Sequence, residues 1–195
     1  MNTRMTTAFR IAAAALAVAG LSAGAQAATY AIDPTHTNVY FEAKHFGTST
    51  NRARFDKKSG TVEFDRAAKT GKVDVTIDTT SINSGVAPFD KHLRSDEFLD
   101  AEKHPTAVFK SDKLVFEGDK VSEVQGTLTI RGKTHPVTLK ATAFNCYDNP
   151  ILKREVCGGD FETTIKRSLW DINWGLQMGV ADMTKLVIQV EAVKQ

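Results

Sequence analysis

Cysteine is scarce: Cys146 and Cys157 are the only two in 195 residues, and they do not form a Cys-x-x-Cys pair. The five histidines, His36, His45, His92, His104 and His135, show no His-x-x-x-His spacing, so no zinc motif is spelled out. A Gly-x-Ser-x-Gly elbow and a glycine-rich phosphate loop are also missing, which removes two familiar marks of hydrolases and nucleotide binders. No apolar run after residue 27 approaches the length of a membrane-crossing helix. Net charge is lacking too. Arg4 and Arg10 are the only charged residues before position 28, and without them the 23 acidic residues face an equal number of basic ones. With no basic block, the chain has no electrostatic footprint for nucleic acid.

What is present begins with an export signal. Arg4 and Arg10 form a basic start, residues 11–21 are an apolar run too short to span a bilayer, and Ala25-Gln26-Ala27 is a small-residue cleavage site. The reading is a signal peptide over residues 1–27, a mature chain from Ala28, and a periplasmic location. No cysteine follows the apolar run, so no lipid anchor is expected. In an oxidising compartment Cys146 and Cys157 are expected to pair and to close the loop 147–156, a redox or metal role being the alternative. Residues 28–195 suffice for one core and therefore one domain.

Most of that domain alternates. Val39, Phe41, Ala43 and His45 fall on one face of a strand, with Tyr40, Glu42 and Lys44 on the other. Similar runs carry Val62 and Phe64; Val73, Val75 and Ile77; Ala107 and Phe109; Val124, Leu128 and Ile130; Val137 and Leu139; Phe161 and Ile165; and Ile188, Val190 and Ala192. Turn residues at Thr70-Gly71, Gly118-Asp119 and Arg131-Gly132 separate several of them. Short strands joined by tight turns predict an all-β antiparallel barrel of about eight strands, filled by side chains or holding one ligand.

Residues 88–105 break the pattern. Phe89 and Leu93 stand one helical turn apart, and Ser95 offers an N-cap to a second short helix carrying Phe98 and Leu99. Two short helices are expected, with Phe89, Leu93 and Phe98 turned onto the sheet and Asp90, Asp96 and Asp100 facing solvent. His45 is the polar residue whose strand phase points inward. Arg167 shares the phase of Phe161 and Ile165 and is expected to pair with an acid. Trp170, Trp174, Met178 and Met183 lie in an irregular stretch suited to the rim or cap of a barrel end.

Three blocks, in order, resemble the YceI-like family of exported bacterial proteins. They are Asp33-Pro34-Thr35-His36-Thr37 with Lys44-His45-Phe46-Gly47; Asp90-Lys91-His92-Leu93-Arg94-Ser95-Asp96-Glu97-Phe98-Leu99-Asp100; and the stretch from Gly126 to Val137. The resemblance implies a lipocalin-like barrel whose apolar tunnel takes a polyisoprenoid or similar long-chain lipid, a prenylated quinone among them. It implies no cofactor, metal or catalytic residue. Phe41, Phe109, Leu128 and Ile130 are then expected to touch the tail. Phe46, Phe55, Ile82, Phe89, Leu93 and Phe98 join them as tail contacts on the resemblance alone, with His45 and Arg94 at the polar end. A homodimer is left open. Two rival readings remain: a lipid-modifying or hydrolytic enzyme with His45 as base, and a stress-response scaffold with a filled barrel.

Overall fold

The structure, a computed structural model, describes residues 27–195, so the body of the expected export signal lies outside the described residues. The strands are β1 (Ala28–Ile32), β2 (Asn38–His45), β3 (Ser49–Phe55), β4 (Lys58–Asp65), β5 (Thr70–Asp78) and β6 (Ile82–Asn83). After helix α1 (Ala87–Arg94) come β7 (Thr106–Glu117), β8 (Lys120–Ile130), β9 (Lys133–Asn149), β10 (Arg154–Lys166) and β11 (Met183–Lys194). Every pairing is antiparallel, and β1, β4, β5, β7, β8, β9, β10 and β11 close into a ring. Closure removes the free edges that an open sheet would expose.

The ring forks at one strand. The C-terminal part of β11 pairs with β1 through Ala192 and Lys194, whereas its earlier part, from Thr184 to Gln189, pairs with β2. Strands β3 and β6 continue outward from β2. This three-stranded flap widens one end of the barrel, and α1 lies across it. Alternation sets what the flap buries: Val39 and Phe41 of β2 stand opposite Ile188 and Leu186 of β11 on the inner face.

Eight strands in the ring match the expected barrel, but the membership differs. The alternating run 39–45 is part of the flap, and the short β1, which buries Tyr30 and Ile32 in the core, takes its place in the ring. The turn expected at Thr70-Gly71 falls instead at residues 66–69. There the Asp65 carboxylate accepts the Ala68 amide at 2.8 Å and Lys69 takes φ 54°, so Thr70 is already paired with Asp65 in the sheet. The Arg131-Gly132 turn is present, with φ 49° and 71°, backbone values that fit the twist of a two-residue hairpin.

Only one of the two expected helices forms. In α1 the Asp90 carboxylate reaches back to the Ser84 amide and hydroxyl, and basic Lys91, His92 and Arg94 occupy the last turn, where the helix dipole favours them. Ser95 ends this helix rather than starting another: its amide and its hydroxyl both donate to the His92 carbonyl. Residues 99–101 then fold back onto the helix end, Leu99 and Ala101 amides meeting the Leu93 and Arg94 carbonyls. Asp100 adopts φ 47° to do so and is buried, and Asp90 is half-buried, which corrects their expected solvent placement.

Cys146 and Cys157 are bonded and sit directly opposite each other in the β9–β10 ladder. The strands run on past them, so the bridge ties a long hairpin whose turn is only residues 150–153. Nearby, Gly158 allows close passage of β11: a Cβ there would stand 2.0 Å from the Val190 carbonyl oxygen.

Candidate lipid-binding site

Two cavities lie end to end along the barrel axis. The upper one, bounded by Tyr30, Phe64, Phe109 and Phe161, holds about 150 Å³. The lower one, between the flap, α1 and the loop 171–182, holds about 490 Å³, within the roughly 300–1,000 Å³ usual for ligand pockets. Val39, Ile77, Leu128 and Leu186 border both, forming an apolar waist between them. The lower half is therefore not filled by side chains, contrary to the scaffold reading.

The far end of the upper cavity is closed by a polar cluster. Buried Tyr30 donates its hydroxyl to Glu155, which Arg66 and Lys194 also approach, at 3.1 and 3.5 Å. Burial, then the hydrogen bond to Glu155 and its charge, push the Tyr30 phenol well above its ordinary value. The Tyr30 bond holds the Glu155 carboxyl below its own, against burial and with help from Lys194 and Arg66. The cluster stays as phenol and carboxylate across ordinary pH.

Polar groups of the lower cavity gather on the opposite side. Arg167, only 6% exposed, lines it. Its Nε donates to the Ala181 carbonyl, Nη1 to Ile172 and Nη2 to Trp174, at 2.9, 2.7 and 2.8 Å. Asp182 accepts from the Ser168 amide and hydroxyl instead of from the guanidinium. The expected Arg167–acid pair is thus replaced by three carbonyls, which fix the loop 171–182 as the cavity wall. Burial lowers the Arg167 pKa somewhat, and the Asp182 charge opposes that; the group remains a cation. A guanidinium has five N–H donors, so capacity for a further acceptor is left.

Beside it is an aromatic wall. The His92 ring meets Phe98 and Trp174 edge-on, with centroids 4.8 and 4.7 Å apart, and His92 Nε2 is 2.7 Å from Glu97. Arg131, at the β8–β9 turn, donates to the carbonyls of Asp96 and Phe98 and so pins this wall to the barrel. Trp170 is buried under the same turn, its indole N–H on the Leu128 carbonyl at 3.2 Å.

Of the residues singled out from sequence, Phe41, Phe55, Ile82, Phe89, Leu93, Phe98, Leu128 and Ile130 all line the lower cavity. Phe109 lines the upper one instead, because β7 runs upward from Ala107 in the lower cavity, and two residues on it has passed the waist. His45 lines the lower cavity but is exposed at its rim, since β2 ends there; it is not the buried polar residue that its phase predicted. Phe46 is outside the lining, on the β2–β3 turn. Arg94 is outside it as well: α1 turns the side chain away, and its Nη1 reaches the Ile82 carbonyl at 3.4 Å. Sequence reasoning missed Lys44, His92, Val180 and Thr184 as lining residues. His92 alone had a usable signal, three positions after Phe89 on a helix.

The YceI-like domain matches residues 30–192. A UPF0312 protein of Vibrio parahaemolyticus is 37% identical over 190 residues, covering 94% of this chain and 97% of that protein. BcnA of Burkholderia cenocepacia has a similar structure, with a TM-score of 0.69 at 26% identity over 82% of this chain and 98% of its own. A Saccharophagus degradans domain described as polyisoprenoid-binding and implicated in plant cell wall breakdown shares the fold. Its TM-score is 0.62 at 15% identity, over 87% of this chain and 99% of that one.

Proposed function

This chain belongs to the YceI-like family, and from that premise we propose that it binds and carries a long-chain amphiphilic lipid of the polyisoprenoid type. A prenylated quinone fits the same description. The periplasm is the proposed compartment, on the strength of the export signal read in residues 1–27. The observation that carries the proposal is the apolar lower cavity of about 490 Å³ that adjoins a second one through a waist of aliphatic side chains. The description of the Saccharophagus degradans domain is in keeping with it.

Polarity orients the ligand. The tail points toward the waist, where the walls are aliphatic, and the oxygen-bearing head lies near Arg167, His45 and Lys44. Tail burial supplies affinity, at about 0.8 kcal/mol per CH₂ before the ordering costs of binding. The test is a titration of the purified protein with prenyl alcohols of increasing length. Affinity should rise several-fold with each added isoprene unit and level off once the tunnel is full. Affinity independent of tail length, or no uptake at any length, overturns the proposal.

A further inference from the structure

Among the described residues, four of the turns that join consecutive strands place a residue other than glycine in the left-handed region: Phe46, Lys69, Arg131 and Lys153, with φ between 49° and 54°. At three of them the residue is a long cation, at home in water. At the β2–β3 turn it is a phenylalanine, followed by Gly47 at φ 73°, in a turn position that favours asparagine, aspartate or glycine. The residue is 52% exposed. Neither backbone preference nor burial accounts for a phenylalanine there.

Its neighbours explain the position. Phe46 packs edge-on against His45, with centroids 4.8 Å apart, and His45 lines the lower cavity. Across the opening, a Cβ on Gly179 would lie 4.0 Å from the Phe46 ring. Met178, next in the chain, is 58% exposed, and Val180 lines the cavity. Val86, the residue just before α1, lines the cavity and is 56% exposed. Three elements thus bring an exposed apolar side chain to one mouth. Lys44 lines the same mouth, and Lys166 ends β10 opposite Met183, itself exposed. Neither lysine makes an ion pair among the described residues.

We propose that this rim is a bilayer-docking surface, in which Phe46, Met178 and Val86 enter the acyl boundary of an anionic membrane while Lys44 and Lys166 meet its headgroups. The inference rests on the carrier reading above. A long apolar tail passes poorly through water, and a mouth seated in the bilayer lets it move directly from membrane to tunnel. Exposed aromatic and apolar side chains combined with lysines are the chemistry of interfacial attachment.

The experiment uses vesicles of phosphatidylcholine with phosphatidylglycerol loaded with a fluorescent prenyl lipid. It compares Phe46→Ser with Met178→Gln, singly and together, against Ile151→Ser at the opposite end of the barrel, where Ile151 is 88% exposed. The double variant should lose about tenfold or more in vesicle partition and in transfer rate, with binding of the same lipid in solution within about twofold of the parent. Ile151→Ser should leave all three unchanged. Unchanged partition and transfer in the double variant, or loss in Ile151→Ser instead, overturns the docking proposal. Absence of lipid uptake in solution by the parent overturns the carrier reading by itself, while vesicle partition still decides the docking surface.

Discussion

Arg167 stands over the ring of Phe98, its guanidinium carbon 5.9 Å from the ring centroid. Phe98 comes from the turns after α1 and Arg167 from the end of β10, so the contact joins the two irregular segments that wall the lower cavity. The same guanidinium holds the loop 171–182 by three carbonyls. One buried side chain therefore sets the shape of the wall and places a positive charge in it.

Replacing Arg167 with leucine should destabilise the fold by about 3 kcal/mol, since charge-assisted bonds are lost and some of the freed carbonyls stay buried. Urea unfolding measures this. Quenching of Trp174 by acrylamide should increase in the same variant, because the carbonyl that positions it is released.

Val39→Phe should narrow the waist, since Val39 borders both cavities. Affinity for long prenyl tails should fall to that of short ones, with short-tail affinity unchanged. The overpacking cost is about 1–3 kcal/mol, which a thermal melt will register. An equal loss for all tail lengths would show that the waist does not admit the tail.

Removing the disulfide by Cys146→Ser with Cys157→Ser should cost about 2–3 kcal/mol, as expected for a short closed loop. The bridge joins β9 and β10 near the far end of the barrel, so short prenyl ligands should bind as before. Denaturant unfolding beside a binding titration checks both parts.

His36 and Asp33 give a pH dependence away from the cavity, through a contact of 2.6 Å. Burial would raise the Asp33 carboxyl, but hydrogen bonds from His36 and Thr35 outweigh it and bring it down to about 2. The bond to Asp33, then its charge, raise His36 above 6.5. The Asp33 contribution is complete above 3.8 and is lost as pH falls through its lower folded value. That of His36 is complete below 6.5 and is lost as pH rises through its higher folded value. The 33–37 turn is held most firmly between those limits. NMR titration should find His36 above 6.5, and Asp33→Asn should return it toward that value.

Much of the fold was legible because strands facing a barrel interior must alternate, and Val73, Val75 and Ile77, or Ile188, Val190 and Ala192, do so plainly. Strand β3 was not legible. Ser49, Thr50, Asn51 and Arg52 carry no apolar alternation, and only Ala53 and Phe55 are buried. The missing second helix shows a local ambiguity: serine before acidic residues can begin a helix, but here its hydroxyl serves the helix that precedes it. Site residues on regular strands, such as Phe41, Leu128 and Ile130, could be placed by phase. Arg167 had the right phase, but its partners are carbonyls of a loop with no periodicity, and a backbone acceptor leaves no mark in a sequence. Phe46 was misplaced because family likeness gave its neighbourhood and not its side of the mouth.

The central claim is that the lower cavity carries a lipid. Native mass spectrometry of the purified protein, followed by organic extraction, tests it most directly. A stoichiometric adduct released as a prenyl or acyl lipid is the predicted result. A bare polypeptide mass that persists after incubation with prenyl ligands would contradict the account.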